Sequence, residues 1–113
     1  IVREDIKEAR KDFTDLMVEY WDANLNTIFT RKKDIRVAAA IAELFRRREN
    51  IEIYNKKALY IMIREMADVK TQYITKVVNQ MRRIYREMWE DYQKTGRLDN
   101  TIASSSKQNS KYF

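Results

Sequence analysis

The stretch Ile63-Arg64-Glu65-Met66-Ala67-Asp68-Val69-Lys70-Thr71-Gln72-Tyr73-Ile74-Thr75-Lys76-Val77 decides how this chain folds. Its apolar anchors are Ile63 and Ala67, then Val69, then Ile74 and Val77. A spacing of three to four puts each pair on one face of a helix, and Asp68-Val69-Lys70 reads as the tight turn between them. Thr71 has the side chain of an N-cap and opens the second helix. The pattern predicts a helix-turn-helix. It departs from the usual form at two places: Arg64 stands where a small residue lets the helices approach, and Asp68 where glycine is common in the turn. An ordinary helical hairpin with a polar outer face is the plainer reading of the same spacing.

If the apolar anchors face inward, Lys70, Thr71, Gln72, Tyr73, Thr75, Lys76 and Asn79 face outward, with Arg82 and Arg83 a turn further on. Short polar side chains at the start of a recognition helix, followed by arginines, are what base edges and phosphates require. These residues, Tyr73 apart, are the candidate contacts to nucleic acid or to an acidic partner.

Working outward, Asn55 is placed to cap a helix over about 56–67 with Leu59, Met62, Ile63 and Met66 on one face. The helix after the turn continues through Ile74, Val77, Val78, Met81, Ile84, Tyr85, Met88 and Tyr92 to Gly96, the expected stop. At 1.5 Å per residue it measures roughly 36 Å, so its far end, with Trp89 and Tyr92, is expected to project and meet a protein partner. Upstream, the periodicity predicts a helix over about 5–30, ending on Arg31-Lys32-Lys33. A second follows over about 35–48 with Asp34 as N-cap, ending on Arg46-Arg47-Arg48. Ile51, Ile53 and Tyr54 have a short extended pattern. Beyond Gly96 the chain turns rich in Ser, Asn, Lys and Thr. The expected organisation is an all-α, compact orthogonal helical domain over 1–96, its helix-turn-helix-like core at 56–95, and a flexible tail over 97–113.

Composition bounds the function. The 113 residues are 44% hydrophobic and 35% charged, with one glycine and no proline, cysteine or histidine. Without histidine or cysteine, most neutral-pH acid–base, nucleophilic and metal chemistry lacks its usual groups. One glycine cannot build a glycine-rich phosphate loop. Asp5 with Glu8 and Glu90 with Asp91 read as solvated helix faces. No enzyme, cofactor or metal site is therefore expected. No apolar run reaches the roughly 18–20 residues of a membrane span. The chain begins with Ile and carries no secretory pattern, so a trimmed N-terminus and a cytoplasmic location are the expectation. The net charge of +6, gathered in Arg31–Lys33, Arg46–Arg48, Lys56-Lys57 and Arg82-Arg83, points to a polyanion or an acidic protein as partner.

The runs Val37-Ala-Ala-Ala-Ile41, Ile53-Tyr-Asn-Lys-Lys-Ala-Leu-Tyr-Ile-Met-Ile-Arg-Glu-Met66 and Lys70-Thr-Gln-Tyr-Ile-Thr-Lys-Val-Val-Asn79 resemble small late-promoter transcription accessory proteins. These are encoded by myophages with T-even-like genomes, especially cyanophages. The resemblance covers a little over half of the chain. It implies a coactivator, monomeric outside its complex, in the host cytoplasm. Such a protein docks on the β-subunit flap of host RNA polymerase beside a sigma-like factor, and tethers to the sliding clamp through a C-terminal peptide. Gln108, Tyr112 and Phe113 suit that peptide, although the aliphatic residue that usually precedes the aromatics is missing. Two other functions fit the same residues: a helix-turn-helix DNA-binding regulator acting alone, and a helical phage packaging subunit that assembles into rings.

Overall fold

The computed structural model describes residues 2–51 and 55–98. Helix α1 spans Val2–Ile28, α2 Lys32–Arg46, α3 Lys56–Ala67 and α4 Thr71–Thr95, with a short 3-10 turn at Arg48–Asn50. Among the described residues there is no strand. Ile53, Tyr54 and the tail beyond Leu98 lie outside the described residues.

Helix α3 begins where Asn55 accepts a hydrogen bond from the Ala58 N–H at 2.8 Å, as its cap role requires. It ends at Asp68, whose backbone is left-handed (φ 54°, ψ 54°) and whose N–H donates to the Arg64 carbonyl. This is the conformation glycine would supply; Asp is among the few other residues that adopt it at modest cost. The turn residue that looked out of pattern thus makes the expected turn. Gly96 closes α4 in the same left-handed way (φ 74°), its N–H donating to the Tyr92 carbonyl at 2.7 Å.

Two caps differ from expectation. The cap position of α4 is held by Lys70, which makes no side-chain capping bond, and Thr71 is the first helical residue. Helix α2 starts three residues before the expected point, capped by extended Arg31, so Asp34 lies inside its first turn. A carboxylate there meets the positive end of the helix dipole, which offsets Lys32 and Lys33 at an end that disfavours cations.

Helix α2 is the centre of the fold and touches the other three helices. Its small residues Ala38, Ala40 and Ala42 are buried beside Val37 and Ile41, letting neighbours approach closely. Into this contact α1 brings Phe13, Met17 and Trp21, α3 brings Ile63 and Ala67, and α4 brings Ile74, Val77, Met81, Ile84 and Met88. Of the anchors read from the 63–77 stretch, Ile63, Ala67, Ile74 and Val77 are core residues, and Val69 is half-buried against them. At about 1.5–3 kcal/mol for each large apolar side chain removed from water, this cluster dominates the favourable side of folding. Met66, expected on the inner face of α3, is 44% exposed instead.

The far end of α4 does not project. The first half of α1 lies over it: the Phe13 ring sits 5.2 Å from Trp89, 5.2 Å from Tyr92 and 5.0 Å edge-on from Tyr85. Thr14 ties the same helices. Its hydroxyl donates to the Arg10 carbonyl at 2.7 Å, so the 2.9 Å contact to Tyr85 has the phenol as donor. A 27-residue α1 is long enough to run along α4 and cover it.

Candidate nucleic-acid interface

Burying Ile74, Val77 and Met81 turns the opposite side of α4 to solvent. Lys70, Thr71, Gln72, Thr75, Lys76, Asn79, Arg82 and Arg83 are all exposed, as the sequence pattern predicts. Gln72, Thr75, Asn79 and Arg83 follow one another at three and four residues, forming a single polar row along the helix. Arg86, also exposed, extends that row by one turn. Its place three residues after Arg83 follows from helical spacing alone. Tyr73 is not outward: it is half-buried against the core.

The structure also brings the start of α2 to the start of α4. The Lys33 ammonium lies 4.8 Å from the Tyr73 ring centre, a cation–π contact. Lys76 reaches back to Asp34 at 3.4 Å. Arg31, Lys32 and Lys33, all exposed, are thereby set beside the first turns of α4. The 31–33 cluster thus meets the start of the polar row, while Arg82 and Arg83 lie further along α4.

The other clusters divide differently. Arg46 is ion-paired with Asp22 and Glu43, Arg47 with Glu43 at 2.6 Å, and Arg48 with Asp15. Those carboxylates raise the pKa of the Arg46 guanidinium, the Asp22 hydrogen bond foremost. This cluster holds α1 to the end of α2 and offers little positive charge outward. Lys56 stacks over Tyr60 at 5.7 Å, away from the polar row.

Lys76 is only in part what the sequence suggested. It is 44% exposed in its side chain, but its ammonium answers a carboxylate that is 6% exposed. Lys76 therefore neutralises a buried charge of its own chain as well as bordering the row. The protein-partner candidates fare worse. Trp89 is 8% exposed and packed against Phe13, with the Arg10 guanidinium 5.0 Å over its ring. Tyr92 is half-buried in the same cluster. Trp89 is a core residue, because α1 covers what looked like an uncovered helix end. Gln108, Tyr112 and Phe113 lie outside the described residues.

Among the described residues, no group of three or more acidic, histidine or cysteine side chains is placed to hold a metal. No helix there is long and apolar enough to cross a membrane. Compared with known protein families, curated proteins and solved structures, the chain has no match.

Proposed function

We propose that this chain is a non-catalytic DNA-binding module of the helix-turn-helix kind, with α4 as its recognition helix. The observation that carries the reading is the exposed polar row Gln72, Thr75 and Asn79, which continues along α4 into Arg83 and Arg86 and begins near Lys33 of α2. In this reading Gln72 and Asn79 offer the amides that pair with adenine edges in the major groove, and Thr75 packs on or hydrogen-bonds to a base. Lys70, Thr71 and the arginines hold phosphates, giving register and most of the affinity without sequence information. Selection from a pool of random duplexes tests it. Enrichment of a defined half-site supports base reading; retention of duplexes without sequence preference reduces the role to phosphate binding, and no retention contradicts the proposal.

The RNA-polymerase coactivator implied by the resemblance is the second reading. It has lost Trp89 as its partner anchor. What favours it now is α3, where Ile61 (47%) and Met66 (44%) are the large apolar side chains most open to solvent on that helix, as at a surface a protein partner would cover. A pull-down from the producing cell separates the two: a coactivator retains RNA polymerase and binds isolated duplex DNA poorly, and a regulator does the reverse.

A further inference from the structure

A cavity of about 770 Å³ opens between α2, α3 and α4, with Trp21 of α1 also on its lining. Leu44 and Phe45, Leu59 and Ile63, and Val78 and Met81 give it apolar walls. Its size falls within the range of small-molecule sites, which are mostly apolar with a few placed polar groups. Arg48, Lys56 and Arg82 line the cavity, Arg48 with its guanidinium already ion-paired to Asp15 and donating to the Phe45 carbonyl, and no lining side chain among the described residues is a carboxylate. Trp21 is 1% exposed, yet its indole N–H has no acceptor among the described residues. Buried donors are normally satisfied, and none of the described residues supplies this one with an acceptor. Indole, guanidinium and ammonium groups can only donate. Two tyrosines also line the cavity: Tyr85, whose hydroxyl is held by Thr14, and Tyr60, whose hydroxyl can donate or accept.

Apolar walls with the indole N–H and the Lys56 and Arg82 cations among their polar groups complement an apolar body that ends in an anionic, hydrogen-bond-accepting head. We propose that this groove is a binding site for a small amphipathic carboxylate, its hydrocarbon or aromatic body between Phe45, Leu59 and Met81 and its head group among the cations. The site shares Arg82 with the phosphate-binding arginines of α4 and is otherwise separate from the polar row.

Calorimetric titration of the full chain tests this, with dodecanoate as the aliphatic probe and 2-naphthoate as the aromatic one. Dodecanol and dodecyltrimethylammonium serve as the neutral and cationic controls, all below their micelle concentrations. At least one carboxylate is expected to bind saturably, one to one, and about tenfold or more tighter than both controls, as a charge-assisted hydrogen bond implies. The tighter of the two identifies the body. Leu59→Trp, which fills the groove, should abolish binding. Lys56→Glu, at an exposed position, should weaken it about tenfold or more while leaving helicity and the unfolding transition unchanged. Absence of saturable binding by both carboxylates, equal binding of the controls, or unchanged affinity in Lys56→Glu overturns the proposal. So does a concentration-dependent dimer that Leu59→Trp converts to monomer, which would make a second copy the occupant.

Discussion

The Lys76 ammonium stands 3.4 Å from the Asp34 carboxylate, joining the first turn of α2 to the second turn of α4. Asp34 is 4% exposed, and its other oxygen has no partner among the described residues, so Lys76 is its main neutralising charge. Removing Lys76 leaves a buried carboxylate uncompensated. We expect Lys76→Met to lower stability by about 1–2 kcal/mol, less than for a fully buried pair because the ammonium is solvated. Lys70→Met should stay within about 0.5 kcal/mol. Urea unfolding of both variants measures this. Equal, negligible losses would return Lys76 to the set of pure surface cations. In the Asp34→Asn, Lys76→Met double variant the two losses should be less than additive.

Trp89 acts on stability. With Phe13, Tyr92 and Arg10 around it, Trp89→Ala should cost about 3–5 kcal/mol through the cavity it leaves. Phe13→Ala should cost a similar amount, and the double variant less than the sum. A Trp89→Ala protein that melts within a few degrees of wild type would show that α1 does not cover the end of α4.

Burial pushes the Tyr20 phenol from 10.0 up to about 12. The neutral form is therefore favoured in the folded chain. Its contribution is complete below pH 10 and is lost as pH rises from 10 toward 12. The full effect of such a shift is about 2–3 kcal/mol. Unfolding midpoints followed from pH 9 to 12 should fall across that window in wild type and fall less in Tyr20→Phe. Parallel decline in both proteins would place the alkaline sensitivity elsewhere.

The left-handed backbone at Asp68 gives a third stability test. Asp68→Gly removes the conformational strain and adds unfolded-state entropy, so its net effect should be between neutral and about 1 kcal/mol stabilising. Asp68→Val, β-branched at positive φ, should cost more than about 1 kcal/mol. If both variants match wild type, the turn between α3 and α4 does not hold this geometry in solution.

Much of the fold was legible because its signals are local. Asn55, Gly96 and the stripe from Ile74 to Met88 each act within a few residues of themselves, so their roles follow from spacing. Periodicity marks which face is buried but carries nothing about which element buries it. That is why Trp89 was read as an interface residue: its cover, Phe13, lies far upstream in the chain. The basic clusters were misjudged for the same reason. Arg46–Arg48 and Arg31–Lys33 look alike in sequence, and only the fold places Asp15 and Asp22 beside the first and Tyr73 beside the second. Asp34 misled more subtly. An acidic residue before an apolar run suits either a cap or a first turn, and the chain uses it in the turn.

If α4 presents a DNA-reading row flanked by phosphate-binding cations, duplex affinity depends on salt through those cations. Fluorescence anisotropy with a duplex carrying the selected half-site, over about 50–200 mM salt, gives the slope of log affinity against log salt concentration. A steep negative slope is expected in wild type, and a slope shallower by about 1–2 in Arg82→Ala, Arg83→Ala, with the fold intact by circular dichroism. Gln72→Ala, Asn79→Ala should keep the wild-type slope while losing discrimination between the selected and an unrelated duplex by about tenfold or more. A chain that binds no duplex at low salt, or whose affinity and slope are the same with and without Arg82 and Arg83, contradicts that role of α4.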